Sequence, residues 1–468
     1  MVTTKNRKAL LLLLTLGFLL GVALAMVFPN RNGTSGEIPP DPDAEREAFI
    51  QQMLTDMTPE EKIGQMFMGC FYNGTPSLKT IETYHLGSAL LFGASFQKDE
   101  KNILQEKLQK INSESKIPPI IAVDEEGGTV VRVSGHKSYR AKGYRSPRQL
   151  YAEGGLSKII EDAHEKNALL KDIGIHLNLA PVCDIATNRD DFMYSRSLGQ
   201  NATITSEFVA ELVTACREDG IGCCLKHFPG YGNASDTHTG AAVDKRSRKH
   251  LEENDLLPFA AGIKAGAPAV LFSHNTVTSI DAKRPASLSA AMHRLLREDL
   301  GFDGVILTDD LSMDSVADLP LDTDTAVAAI LAGSDLLCTG DYKEQYTAVC
   351  EAYEQGIISL ERLDESVRRI LRWKIELGLV TPGSAGEDPG TSEGAAEGTP
   401  QVTSKEPAHQ GAAGNSDSTA IAGLDEKTAE AYMESFFKPS ALQPATNTTD
   451  FNQNFNTIRS NQQKEELK

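Results

Sequence analysis

The sequence predicts an α/β protein built as a single (β/α)8 TIM-type barrel, with an N-terminal membrane segment and a disordered C-terminal tail. Three observations lead there. Eight short apolar runs alternate with amphipathic helical patterns between about residues 46 and 380. The runs are almost continuously apolar rather than alternating, as parallel strands covered on both faces are. Charged and histidine side chains gather just after the runs, at the strand ends where such barrels carry their loops. A doubly wound open sheet is the other architecture compatible with the alternation alone. The chain has 468 residues, ample for a barrel that typically needs about 250 with room for additions.

Taken in order, the chain opens with Lys5, Arg7 and Lys8 followed by an unbroken apolar stretch from Ala9 to Phe28. Positive residues ahead of an apolar run read as an export signal, basic end inside. The run is about 20 residues, long enough to span a bilayer, yet Ala23-Leu24-Ala25 suits a cleavage site. A signal anchor and a cleaved signal peptide over 1–28 are both open, and either leaves the remainder outside the cytoplasm, membrane-anchored or secreted. Residues 29–45 form a Pro/Gly/Asp-rich linker. The barrel is expected over 46–380.

The expected strands are "GQMFMGCF", "GSALLFG", "PIIAVD", "HLNLAPVCD", "GCCLKHF", "PAVLFSH", "GVILTDD" and "SDLLCTG". Helical patterns lie between them, for instance over Lys101–Ser113, Ser157–Leu170, Ser206–Glu218 and Ser289–Leu300, and a last helix over Ser359–Leu379 closes the domain. Residues 381–468 are low-complexity and poor in large apolar side chains, with one weak helical patch at "DEKTAEAYMESFF". Such a segment buries too little surface to offset its ordering entropy and is expected to be disordered.

Composition narrows the function. A net charge of -19 argues against nucleic acid, whose phosphates call for clustered Lys and Arg. The seven cysteines sit mostly in apolar runs, without metal-cluster or CxxC spacing, and read as core fillers.

Chemistry is expected at the strand ends. Asp124, Glu125 and Glu126, then Gly127-Gly128 and Arg132, follow the third run; Asp184 and Arg196 follow the fourth. Lys226 and His227 end the fifth, ahead of a loop with Asp236 and His238; Ser273, His274 and Asn275 end the sixth, Asp309 and Asp310 the seventh. Each has a plain structural explanation. "DEEGG" makes a surface turn, Asp309-Asp310 caps the next helix, and His227 is a buried histidine. Five clusters at equivalent strand ends of one barrel favour a polar pocket instead, of the kind that sugar hydroxyls require.

The segments "VDEEGGTVVR", "NLAPVCDI", "YSRSLG", "KHFPGYGNASDTH" and "GFDGVILTDDLSM" resemble glycoside hydrolase family 3, in particular its β-N-acetylhexosaminidase branch, in the family's order over about 50–380. The resemblance implies that Asp309 is the nucleophile of a retaining reaction with a covalent glycosyl intermediate. It implies that His238, partnered by Asp236, is the acid/base, where retaining glycosidases usually use a second carboxylic acid. An imidazole titrates near neutral pH, and an adjacent carboxylate fixes its tautomer, which suits that role. It implies that Asp124, Arg132, Arg196, Lys226 and His227 bind the terminal sugar. The reaction needs no metal and no cofactor. The chain departs from the family pattern at Tyr231, where many relatives have His, at Asn233, in a slightly short stretch before "DTH", and at Glu125, where Gln is common.

The expected activity is removal of terminal β-linked N-acetylglucosamine, from peptidoglycan fragments outside the membrane. The alternatives are a β-glycosidase of other specificity or a phosphorylase of the same family, and a non-catalytic wall-binding barrel.

Overall fold

A computed structural model describes residues 42–232, 242–317, 319 and 321–381. The apolar stretch of 1–28, most of the linker, the tail from 382 onward, and Asn233, Asp236 and His238 lie outside the described residues. Among the described residues no helix is long and apolar enough to cross a membrane. Among the described residues, those up to Gln52 and those from Met53 onward fall into two separate units. Helix Pro42–Asp56 runs through that boundary, so the chain is already helical within the final residues assigned to the linker. The barrel lies wholly in the second unit.

Eight parallel strands form it, nearly closed. They are β1 Phe67–Phe71, β2 Ser88–Leu91, β3 Ile120–Val123, β4 Leu177–Asn178, β5 Gly222–Phe228, β7 Ala269–Phe272, β9 Val305–Thr308 and β10 Leu337–Thr339. Their order around the barrel is β10-β1-β2-β3-β4-β5-β7-β9, and a parallel bridge from Leu307 to Leu336 joins the two ends. Each lies within one of the eight apolar runs, and the open-sheet alternative is thereby set aside. Nearly every strand residue is buried, which is why the runs are uniformly apolar. The two remaining strands, β6 Val243–Asp244 and β8 Thr276–Val277, pair with each other above the barrel. Neither is long enough to leave a periodic signal.

The helices lie where the periodicity places them, with instructive differences at their ends. Lys101–Glu114 and Ala202–Asp219 match closely, the latter started by Asn201, whose side chain accepts from the Ile204 amide. The second expected helix, Ser157–Leu170, runs on to Ile173, and the non-helical Gly154-Gly155 pair separates it from a short helical segment that starts at Pro147. The fourth begins as Ala290–Arg294 and finishes in a wider π turn, Leu295–Asp299. The closing helix is Leu360–Glu376.

The seam where the ring closes is held by one buried carboxylate. Asp335, just before β10, accepts from the Ile306 amide at 3.0 Å and from the Ser366 hydroxyl at 2.7 Å, and pairs with Arg297 and Arg369. It therefore ties the last two strands to the closing helix. All seven cysteines are free, and six are buried, as core fillers should be.

Close to that seam, where the chain enters β1 and β2, it passes backbone against backbone. Gly87 donates to the Gly64 carbonyl at 2.9 Å, and a Cβ on Gly87 would lie 2.0 Å from the Gln65 carbonyl oxygen. No rotamer relieves a clash with backbone, so Gly87→Ala is expected to destabilise the protein by about 2 kcal/mol or more in denaturant unfolding. A change within about 0.5 kcal/mol, the usual scatter of neutral substitutions, would contradict this close approach.

Candidate active site

The carboxyl ends of the strands open into a cavity of about 530 Å³, within the roughly 300–1,000 Å³ of ordinary small-molecule sites. Asp124, Arg132, Arg196, Lys226, His227 and Asp309 all line it. Six of the eight expected site residues, spread over 186 positions of sequence from 124 to 309, thus share one space. The other two, Asp236 and His238, lie outside the described residues.

The turn after β3 sorts three consecutive acids by parity, since successive side chains of an extended segment point opposite ways. The Glu125 amide donates to Asn178 Oδ1 at 2.9 Å and Asn178 Nδ2 donates back to the Glu125 carbonyl at 3.1 Å, pinning the turn to β4. Asp124 and Glu126 then face the charged end of the cavity, while Glu125 turns into the protein. There its carboxylate accepts from the amides of Arg132 and Val133, each at 2.7 Å, from the Ser134 amide at 3.3 Å and from the Ser134 hydroxyl. The extra charge at position 125 is structural: it holds the segment that carries Arg132. Gly127 and Gly128 follow with positive φ of 100° and 67°, and a Cβ on Gly127 would meet the Arg145 carbonyl at 2.2 Å.

Arg132 lies over the Phe92 ring, 5.4 Å from its centre, and its buried Nε has no partner. As a residue of the cavity wall, Arg132 brings a cationic donor group to a ligand there.

The centre of the site is an ion cluster. Lys226 Nζ lies 2.6 Å from Asp124 Oδ1 and 2.7 Å from Glu126 Oε1. Arg196 grips Glu126 with both faces of its fork, Nη2 at 2.6 Å and Nε at 3.0 Å. Burial alone would raise the Glu126 carboxyl, but Lys226 and Arg196 overcome it and hold the group well below the usual carboxylate range. Burial would likewise lower Lys226, and Asp124 and Glu126 reverse that, keeping its ammonium charged.

His227 completes the wall. Arg196 Nη2 is 3.2 Å from His227 Nε2, and since a guanidinium only donates, Nε2 accepts. The proton then sits on Nδ1, 2.8 Å from Asp184 Oδ2. Asp184 also accepts from the Tyr231 amide at 2.7 Å. The Tyr231 ring packs edge-on against His227 at 5.3 Å and joins Val182, Ala186 and Met193 in an apolar cluster, so this departure from the family pattern buttresses His227. Consecutive residues Lys226 and His227 both reach the cavity because the register of β5 against β7 shifts between Lys226 and Phe228.

Of the paired acids after β9, the structure separates two roles. Asp310 is occupied by its own turn: Oδ1 accepts from the Ser312 amide at 2.9 Å, the Ser312 hydroxyl at 2.6 Å and the Gly340 amide at 3.2 Å, and Oδ2 takes the Tyr72 hydroxyl. Asp309, whose amide continues the β7 ladder to Phe272, keeps its carboxylate at the cavity wall beside the Asp310 amide. His274, another strand-end residue, spans Ser287 and the Asp310 carbonyl and supports that turn.

The family model described as "Glycosyl hydrolase family 3 N terminal domain" matches residues 58–373. The chain belongs to glycosyl hydrolase family 3. Beta-hexosaminidase A of Pseudoalteromonas piscicida is 31% identical to this family 3 chain over 64% of its length, and the match spans 54% of the relative. Beta-hexosaminidase LpqI of Mycobacterium tuberculosis is 27% identical over 68% of this chain and 83% of the relative. Among solved structures, a family 3 beta-N-acetylglucosaminidase from Paenibacillus sp. str. FPU-7 superposes with a TM-score of 0.65 at 30% identity, over 71% of this chain and 65% of that one. The chain thus spans about half the length of the first of these relatives.

The structure gives roles to two strand-end residues that the sequence named without one, Glu126 and Asp184, and to Tyr72, which the sequence did not single out. Glu126 is the anion that binds Arg196 to Lys226, Asp184 orients His227, and Tyr72 holds Asp310. For Glu126 the signal was present: at a strand end it shares the parity of Asp124.

Glu126→Gln keeps the volume and removes the charge between two buried cations. Loss of one partner from a buried ion cluster costs about 3–5 kcal/mol, and a loss of that size is expected in denaturant unfolding at pH 7. Because the folded-state pKa of Glu126 is depressed, its contribution is complete above the ordinary carboxyl value of 4.5 and fades as the pH falls further. The gap between the two proteins should therefore shrink below that pH. Equal stability at pH 7 would refute the role given to Glu126.

Proposed function

We propose that this protein hydrolyses terminal, non-reducing β-linked N-acetylhexosamine, N-acetylglucosamine foremost, with retention of configuration. The observation that carries the reading is the placement of Asp309 in the same cavity as Arg132, Arg196, Lys226, His227 and Asp124. The beta-hexosaminidase names of the two relatives and the beta-N-acetylglucosaminidase name of the Paenibacillus structure support the choice of sugar.

Asp124 accepts from sugar hydroxyls, while Lys226, Arg196 and Arg132 donate to hydroxyl and acetamido oxygens. Held this way, the sugar presents its anomeric carbon to Asp309. The Asp309 carboxylate attacks that carbon, forming a glycosyl ester as the bond to the leaving oxygen breaks. His238, oriented by Asp236, gives the leaving oxygen its proton, then takes one from the water that cleaves the ester. Asp310 does not compete as nucleophile, because its oxygens are spent on four donors.

The substrate setting belongs to the same proposal. The basic and apolar N-terminal sequence supports a setting outside the cytoplasm, anchored or secreted, where peptidoglycan fragments carry terminal N-acetylglucosamine.

A fluorinated N-acetylglucosaminide should trap the intermediate. Peptide mass spectrometry is expected to find the label on Asp309, and Asp309→Ala should lower kcat by at least about 10³-fold with folding intact. Label on Asp310, or undiminished turnover by the variant, would overturn the assignment.

A further inference from the structure

Tyr72 stands out at the mouth of this cavity. It directly follows β1, and among the described residues it is one of four large apolar side chains left exposed, at 43% of its surface. The other three, Ile103, Val243 and Leu360, do not line the cavity; Tyr72 does, together with Asp309 and Arg132. Exposure falls steeply inward: the side chains of Glu126 and Lys226 are each 2% exposed. Charged residues thus grip whatever lies at the bottom, and an aromatic ring meets whatever lies at the entrance.

The ring is fixed at both ends. Its hydroxyl donates to Asp310 Oδ2, and its flank rests on Phe92 with ring centres 4.5 Å apart. Phe92 in turn carries the Arg132 guanidinium. Glycine at position 340 leaves room for this placement, since a Cβ there would meet Tyr72 Cε2 at 2.9 Å. A side chain immobilised before any ligand arrives loses little entropy on binding.

An exo-acting enzyme buries the terminal sugar and must leave the next unit nearer solvent. We propose that Tyr72 is the platform for that unit: its ring takes the C–H face of the pyranose attached to the scissile oxygen, making it a specificity-determining residue for a carbohydrate leaving group. The inference rests on the hydrolase reading of the site and adds the leaving-group side to it. The hydroxyl, by contrast, serves Asp310 and so the turn beside Asp309.

The experiment compares kcat/KM on the β-1,4-linked disaccharide of N-acetylglucosamine with kcat/KM on methyl β-N-acetylglucosaminide, for the wild type, Tyr72→Ala and Tyr72→Phe. Loss of the ring should reduce the disaccharide value about tenfold more than the methyl glycoside value, the scale of one aromatic contact. Tyr72→Phe keeps the ring and should preserve the wild-type ratio between the two substrates, even where loss of the Asp310 contact slows both. Equal losses on both substrates with Tyr72→Ala, or a ratio in Tyr72→Phe as low as in Tyr72→Ala, would overturn the platform. Failure of the wild type to cleave either substrate would sink the hydrolase reading itself, and the platform with it.

Discussion

The site depends on one buried carboxylate shared between two cations. Lys226 and Arg196 project into a region sealed by the barrel, where an unpaired charge costs several kcal/mol. Glu126 meets both, Asp124 meets Lys226 from the other side, and the cluster stays ionised as a unit. Its geometry leaves Lys226 with a donor beyond the two spent on Asp124 and Glu126. The pocket is therefore preorganised for a neutral, hydroxyl-rich ligand, which supplies acceptors without adding charge.

Around that cluster the acids divide according to how their oxygens are used. Glu125, Asp184, Asp310 and Asp335 each take two or more internal donors and fix a turn, a histidine or the barrel seam. Asp124, Asp309 and Asp310 all line the cavity, Asp310 with its oxygens engaged by its own turn and by Tyr72. The division follows from position along the strand ends: each structural acid fixes the backbone from which a cavity-facing neighbour projects. Asp310 holds the turn beside Asp309, and Glu125 holds both Asp124 and the Arg132 segment. Tyr72 extends the pattern outward by binding the rim to the Asp310 turn.

The barrel was legible because parallel strands buried on both faces cannot hide their apolar runs, and all eight runs became its strands. Helix ends were less so. Gly154 and Gly155 leave helical geometry and separate a short helical segment from the expected helix, and the π turn after Arg294 has the composition of ordinary helix. Residue type and strand-end position were enough to gather Asp124, Arg132, Arg196, Lys226, His227 and Asp309. They were not enough to rank Glu126 above Glu125, or Asp309 against Asp310, since those distinctions are set by side-chain parity and by amides from distant loops. Tyr72 carried no signal at all, because an aromatic after an apolar run looks like more core. Its role depends on Phe92 and Gly340, which only the closed barrel brings near.

Stereochemistry tests the covalent role of Asp309 most directly, because a carboxylate that attacks the anomeric carbon inverts it and the water that comes next inverts it again. Proton NMR of the first sugar released from a β-N-acetylglucosaminide, recorded before mutarotation, should show the β-anomer. Initial appearance of the α-anomer would mean that water attacks directly and that Asp309 forms no bond to the sugar.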